Sequence, residues 1–442
     1  MIHAFPFSDI YVLLDVESGA LHELDAEAYK VVSAIIDGRD PEKAGVPVHD
    51  VAEIRREIAS LEDEGALNAE AAVAPSVRGG SVIKSLCLHV AHDCNLRCKY
   101  CFASTGDFHG ERMLMSWDVA KRAMDLLIAK SGKRRHLEVD LFGGEPLLNW
   151  PLCEKIVAYG RKLEREFDKE IHFTITTNCV ALNDEMIGFI NREMHNVVIS
   201  LDGRKNVHDA LRPTAGGQGS YDVILEKAKK LVSLRGDKEY YIRGTFTRNN
   251  LDFANDVKHL VSEGFEQISI EPVVLPDDDP LSITAAQLPR VREEYEKLAD
   301  FYLKERYDGR WFNFFHFNVD LAHGPCLRKR LTGCGAGVEY MAVAPDGEIY
   351  PCHQFVGNKA YLLGNVFDGT LDAALQEKFA NCNVLTKPDC EKCWAKYFCS
   401  GGCAANAAIY SGDIMRPHKV SCELMRMRTE CALGIYVKEK EE

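Results

Sequence analysis

No stretch of this chain is apolar for long enough to cross a bilayer. A spanning helix needs roughly 18 consecutive apolar residues, and no run here approaches that length. The N-terminus, MIHAFPFSDIYVLLDV, has neither a basic region nor an uninterrupted apolar core, so no signal peptide is expected. Positive charge is the scarcer sign: 53 Lys and Arg stand against 67 Asp and Glu, for a net charge of −14, and there is no long basic run. That balance argues against binding a nucleic-acid backbone or an anionic membrane, and a cytoplasmic location is expected. Cysteine, by contrast, is abundant. Sixteen cysteines in a chain without an export signal are poorly explained by disulfides, and their uneven spacing points to metal. The 442 residues should hold two or three domains, and 46% hydrophobic with 27% charged residues is ordinary for a globular protein.

The most informative stretch is residues 92–102, HDCNLRCKYCF, which places Cys94, Cys98 and Cys101 in a CxxxCxxC array directly after an apolar run at 86–90. Three thiolates on one short loop can hold three irons of a cubane cluster and leave the fourth without a protein ligand. Iron–sulfur clusters normally take a full set of cysteines, and an open position marks a catalytic metal rather than a structural one. A zinc loop or three unrelated core cysteines are the alternatives. The loop resembles the cluster loop of the radical S-adenosylmethionine (SAM) enzymes, which carry an aromatic residue where this chain has Tyr100.

Residues 1–75 read as a separate unit. Positions 11–16 are rich in β-formers, 17–19 make a turn and 20–24 a second short strand. Asp25 is placed to cap a helix in which Ala28, Val31, Val32, Ile35 and Ile36 share a face. Asp50 and Glu53 look like a capping box for a second helix, with Val51, Ile54, Ile58 and Leu61 in a stripe and Gly65 beyond its end. This order resembles the winged-helix peptide-recognition modules that precede many peptide-modifying enzymes, and the resemblance implies leader-peptide binding as an added strand; a plain packing domain is the alternative. Residues 66–80 read as a linker.

From 81 to 307 strand-then-helix units repeat. Strands are expected at 86–90, 137–142, 172–176, 197–201, 241–246 and 267–272. Helices are expected near 116–130, 151–167, 183–194, 221–235, 253–263 and 285–306. Such alternation makes an α/β fold with parallel strands. Six units suggest a partial (β/α)6 TIM barrel, whose chemistry gathers at the C-terminal ends of the strands. The cysteine loop follows the first strand. The second ends in Gly143, Gly144, Glu145 and Pro146, where two glycines let backbone approach a ligand and a glutamate offers an acceptor for an ammonium group. By itself a GGEP is a turn; after a CxxxCxxC loop it resembles the motif that holds the SAM amino group. The same resemblance implies SAM contacts at Asn178, Ser200 and Arg212, the last toward the carboxylate, with ordinary loop capping as the alternative.

The last third, 308–442, is dense in cysteine: Cys326, Cys334, Cys352, Cys382, then Cys390, Cys393, Cys399 and Cys403 as C-x2-C-x5-C-x3-C, and finally Cys422 and Cys431. With C-x12-G-x4-C between Cys334 and Cys352, this resembles the seven-cysteine SPASM domain, which carries two auxiliary 4Fe–4S clusters. The resemblance implies an inner cluster on Cys334, Cys352 and Cys403 and an outer one on Cys390, Cys393, Cys399 and Cys422. Cys326 could complete the inner cluster, but the pattern does not require it. Cys87, Cys153, Cys179, Cys382 and Cys431 have no place in it and read as core thiols.

Taken together, these strings are most similar to the thioether-forming maturases of six-cysteine (SCIFF) peptides. The implied protein is a radical SAM enzyme with three 4Fe–4S clusters and SAM. It would take an external electron donor such as flavodoxin or ferredoxin, and its substrate would be a cysteine-rich precursor peptide with a leader. Hydrogen abstraction by a SAM-derived radical would let a peptide thiolate, held at the inner cluster, bond to carbon. An anaerobic sulfatase-maturing enzyme shares the core and the cysteine pattern. An iron–sulfur electron carrier, from a different class, would have no use for an unliganded iron.

Overall fold

The computed structural model describes residues 1–70, 82–321 and 327–440. Three antiparallel strands open it: β1 (Ile2–Phe7), β2 (Ile10–Asp15) and β3 (Leu21–Leu24), in the order β1-β2-β3. β1 goes beyond the two strands expected here, and it contains Pro6. Proline cannot donate to a ladder and is tolerated on an edge strand, which is where β1 lies. Asp25 caps the helix Ala26–Ile36, accepting from the backbone of Glu27 and Ala28 at 2.9 and 2.7 Å. Its inner face is Val31, Val32 and Ala34; Ile35 and Ile36, expected inward, are 37% and 40% exposed. The next helix, Val48–Asp63, begins three residues earlier than expected. Pro47 occupies its N-cap without a side-chain bond, and Asp50 sits in its first turn rather than at its start. An acid there still complements the helix dipole.

The sheet that follows is built from β4 (Ser85–His92), β5 (Met113–Leu114), β6 (His136–Gly143), β7 (Glu170–Thr177), β8 (Asn196–Ser200), β9 (Glu239–Phe246), β10 (Gln267–Pro272), β11 (Asn313–Phe314), β12 (Tyr340–Val343), β13 (Glu348–Tyr350) and β14 (Gly364–Asn365). Its order is β11-β10-β9-β8-β7-β6-β4-β12-β13-β14, with β5 antiparallel on β4. Every pairing from β11 to β12 is parallel. The expected α/β core with parallel strands is therefore present. β4 is buried along its whole length, as a central parallel strand should be. In β7 and β9 buried residues alternate with half-buried or exposed ones, as in strands whose two faces meet different surroundings.

Crossover helices cover the outside. Ser116 caps Trp117–Lys130, and Ala120, Ala123, Met124 and Leu127 of that helix are fully buried. The expected helical spacing of Ile224, Ala228 and Leu231 is realised, all three being fully buried in Tyr221–Ser233. The last third of the chain supplies both ends of the parallel run: β11 pairs with β10, and β12 with β4. No helix among the described residues is long and apolar enough to cross a membrane.

The N-terminal unit is docked on the C-terminal part. Phe7 packs against Gly434 of the long helix Lys419–Lys440. His3 stacks on Trp394 with ring centroids 3.9 Å apart, and Glu17 pairs with Lys396 at 2.6 Å while accepting from the Tyr397 hydroxyl at 2.8 Å.

Candidate active site

β4 ends at His92 and the chain turns into the cysteine loop over the C-terminal end of the sheet. Glycines make that turn fit. At Gly106 (φ +94°) a Cβ would lie 2.6 Å from the Cys94 Cβ. At Gly143 (φ +132°) it would meet the Ala91 carbonyl oxygen at 2.2 Å, and at Gly144 the Asp93 carbonyl oxygen at 2.3 Å. The FGGEP turn thus lies directly against the entry to the loop. Gly144 N–H donates to Ala91 and Glu145 N–H to Asp93, both at 2.9 Å.

Every cysteine among the described residues is free of a disulfide. Burial pushes Cys94 up to about 12, aided by Glu145 and by the neighbouring Cys98 and Cys101. Burial pushes Cys98 up to about 11, with Arg212 opposing and Cys101 adding, and it raises Cys101 too. Three thiols gathered on one loop beside one cavity are a set that could hold a metal, which would take each as the thiolate. Donors already point at the sulfurs: Leu96 N–H at 3.4 Å and the Asn178 amide at 3.7 Å from Cys94, and the Arg212 guanidinium at 3.9 Å from Cys98. Such a donor set suits a sulfur-ligated cluster.

The other expected residues surround this loop. The Tyr100 hydroxyl donates to Asp202 at 2.8 Å, and Arg212 forms an ion pair with the same carboxylate at 3.0 Å while lying over the Tyr100 ring. Glu145 is 1% exposed. Its carboxylate accepts from the Thr177 hydroxyl at 2.7 Å, from Asn178 N–H at 2.8 Å and from Leu147 N–H at 3.1 Å. Burial nevertheless pushes it up to about 7. This carboxylate therefore ties the end of β6 to the end of β7. Pro146 opens a short 3-10 turn behind it.

A single cavity of about 1280 Å³ runs from here into the last third of the chain. It is lined by Cys94, Cys98, Tyr100, Cys101, Gly143, Gly144, Glu145, Asn178, Ser200 and Arg212 on one side, and by Cys399, Cys403 and Cys422 on the other. The remaining cysteines fall into two separate sets. Burial raises Cys352, and the nearby Cys403 and Cys334 raise it further. Burial pushes Cys422 up to about 12, with Cys399, Cys390 and Cys393 as its thiol neighbours. The fold thus gathers 334, 352 and 403 in one place and 390, 393, 399 and 422 in another. Cys326 lies outside the described residues. Cys382 donates to the Ile414 carbonyl at 3.3 Å, whereas Cys87, Cys153, Cys179 and Cys431 are buried in the core.

Several residues of this chamber escaped the sequence reading. Asp202, fully buried, organises Tyr100, Arg212 and the Thr245 N–H. Glu271 at the end of β10 meets His316 at 2.9 Å and Arg428 at 3.7 Å. Burial alone would raise its carboxyl, but His316, Arg428 and Arg243 hold it well below the usual carboxylate range. Arg243, on β9, is exposed to the cavity and makes no side-chain hydrogen bond or ion pair among the described residues. An acid at a strand's C-terminal end is the sequence signal that could have found Asp202 and Glu271.

Comparison with known proteins agrees with this geometry. The family model "Radical SAM superfamily" matches residues 88–260, and "Iron-sulfur cluster-binding domain" (SPASM) matches 334–394. The chain is 30% identical over 218 residues to the uncharacterized protein MJ0907 of Methanocaldococcus jannaschii, covering 49% of this chain and 70% of that one. It is 26% identical over 330 residues to a cysteine-type anaerobic sulfatase-maturating enzyme of Clostridium novyi (71% and 86% covered). To the radical SAM cyclopropyl synthase TigE of Paramaledivibacter caminithermalis it is 23% identical over 367 residues (79% and 74%). Among solved structures, anSMEcpe with bound AdoMet superposes with a TM-score of 0.68 at 20% identity, covering 81% of this chain and all of that one. Streptococcus suis SuiB bound to its precursor peptide SuiA gives 0.54 at 18%, covering 92% and 94%.

Proposed function

We infer, for a chain that belongs to the radical SAM superfamily and carries a SPASM iron–sulfur domain, that it is a peptide maturase forming thioether links between a cysteine sulfur and a carbon of another residue. Its cofactors are 4Fe–4S clusters and SAM. Cys94, Cys98 and Cys101 would hold the catalytic cluster, Cys334, Cys352 and Cys403 the inner auxiliary one, and Cys390, Cys393, Cys399 and Cys422 the outer one. When bound, the catalytic cluster and SAM supply hydrogen abstraction from an unreactive C–H bond.

The chain's own residues would bind, orient and exclude water. The glycine backbone at 143 and 144 leaves room beside the cysteine loop, and Glu145 fixes the end of β7 so that Asn178 stays aimed at it. Asp202 neutralises Arg212 and holds Tyr100. Ser200 and Arg243 face the same space and are available to polar groups of SAM or peptide. A leader peptide would add as a strand to β3, which pairs only with β2 among the described residues.

The observation that supports this reading most is the shared chamber. The cysteine loop and Cys403 of the inner set line one cavity, so a peptide thiol brought to the inner set would lie in the same enclosure as the C–H bond to be broken. Holding both partners in one geometry removes the entropic part of the barrier. Relatives that act on peptides, of which SuiB was solved with its precursor SuiA, are consistent with it. The similarity to the C. novyi enzyme and to anSMEcpe equally supports a second reading, oxidation of a protein cysteine or serine to formylglycine.

The product separates the two. Co-expression with a cysteine-rich precursor peptide should give a mass loss of two hydrogens per link that survives thiol reduction. An aldehyde that reacts with a hydrazide would instead establish the second reading.

A further inference from the structure

At the end of the barrel opposite the cavity, where β6 and β7 begin, three potential ligand atoms converge. His136 is the first residue of β6, Glu170 the first of β7, and the two are register partners. His172 lies two residues further along β7 and so projects to the same face as Glu170. His136 Nδ1 is 3.3 Å from one Glu170 oxygen, and His172 Nε2 is 3.0 Å from the other. All three atoms lie within 4.8 Å of one another.

We propose that His136, Glu170 and His172 bind a divalent first-row transition cation, with Zn²⁺ the ion this donor set suits. Two neutral imidazole nitrogens and a carboxylate oxygen are ligands of zinc, and water would complete its coordination. A lone His–Glu pair on a surface is ordinary and contributes little. Here strand register brings a second imidazole to the other oxygen of the same carboxylate, so no single ion pair accounts for the arrangement.

The frame is also rigid. His195 stacks on His172 with centroids 4.0 Å apart and planes 20° from parallel, and its backbone N–H donates to the Phe173 carbonyl at 2.8 Å. The stack restricts the plane of the His172 imidazole. The triad remains reachable, with His136 67%, Glu170 46% and His172 33% exposed. By contrast the grouping of His49, Asp50 and Glu53 draws all its members from one exposed helix, where consecutive residues do not face each other.

A cation here would bridge two neighbouring strands at the N-terminal rim, the face of a barrel that serves stability rather than chemistry. It would also be distinct from zinc misloaded at the cluster cysteines, which lie at the other end of the strands.

The test uses the anaerobic, cluster-loaded enzyme titrated with Zn²⁺ in a calorimeter, with iron, sulfide and thermal midpoint measured in parallel. Wild type should take up one Zn²⁺ per chain saturably, with a rise in thermal midpoint. His136→Ala combined with His172→Ala, and separately Glu170→Gln, should weaken that uptake by at least about tenfold with iron and sulfide unchanged. His49→Ala should leave it intact. Equal uptake in the triad variants, or none in wild type at about 100 μM free Zn²⁺, overturns the site.

Discussion

Single side chains on the sheet carry charge states that ordinary reference values misplace. Enclosure pushes Asp140 on β6 up to about 7, with the Glu138 charge adding and Lys84 opposing. The folded chain therefore keeps a proton that the unfolded chain releases near 3.8. Stability from this group is complete below that value and is lost as pH rises through about 7. The full shift corresponds to an upper bound of about 4 kcal/mol, less what water reaching the half-buried carboxyl screens. In Asp140→Asn the fall of the thermal midpoint between pH 5 and pH 8 should be clearly shallower than in wild type; parallel slopes would show that Asp140 ionises normally. At this scale the sequence was legible where function depends on local spacing. The grouping of Cys94, Cys98 and Cys101 could be read because all three sit on one loop, and they line one cavity together. Asp202 could not, since it acts on Tyr100 from 102 residues away, and a distance in space leaves no mark in spacing. The fate of the Glu145 carboxylate was equally hidden, because its donors belong to β7 and the turn after β6.

Elements were legible in proportion to how far their pattern is set by neighbours in sequence. The six core strands and their crossover helices announced themselves through alternation and helical spacing. β1 did not, because Pro6 speaks against a strand unless the strand is known to lie at an edge. The pairing of β12 with β4 joins residues some 250 apart in sequence and is set by tertiary packing alone. Docking of the N-terminal unit is of the same kind, and it rests on a glycine that looked unremarkable inside a helix. A Cβ at Gly434 would lie 2.2 Å from the Phe7 ring, and Phe7 is 5% exposed. Gly434→Val should cost about 1–3 kcal/mol of local packing and loosen residues 1–70. Limited proteolysis should then cut that unit faster, while peptide-independent SAM cleavage stays within about twofold. Unchanged proteolysis would show that the Glu17–Lys396 pair and the His3–Trp394 stack hold the unit without Phe7.

Across the whole molecule, three cysteine sets open on or lie beside one chamber, yet each is assembled from its own part of the chain. The loop of Cys94, Cys98 and Cys101 is fixed by β4, the FGGEP turn and Gly106. The other two sets come from residues 334–422, and the outer one lies beside Lys396 and Tyr397, which are bonded to Glu17 of the N-terminal unit. Assembly of one set should therefore not require another. Replacing Cys94, Cys98 and Cys101 together with alanine should lower iron by about a third, as loss of one of three cubane clusters would. It should also abolish 5′-deoxyadenosine formation while the SPASM iron remains. The measurement is iron and sulfide content beside deoxyadenosine release under a strong reductant. If all iron is lost, the sets are not independent, and the chamber is built around the catalytic cluster. If deoxyadenosine still forms, the loop is not where SAM is cleaved. Retained auxiliary iron without SAM cleavage would show that the SPASM clusters assemble without the catalytic one, and a peptide thiol could then be sought at the inner set in the absence of any turnover.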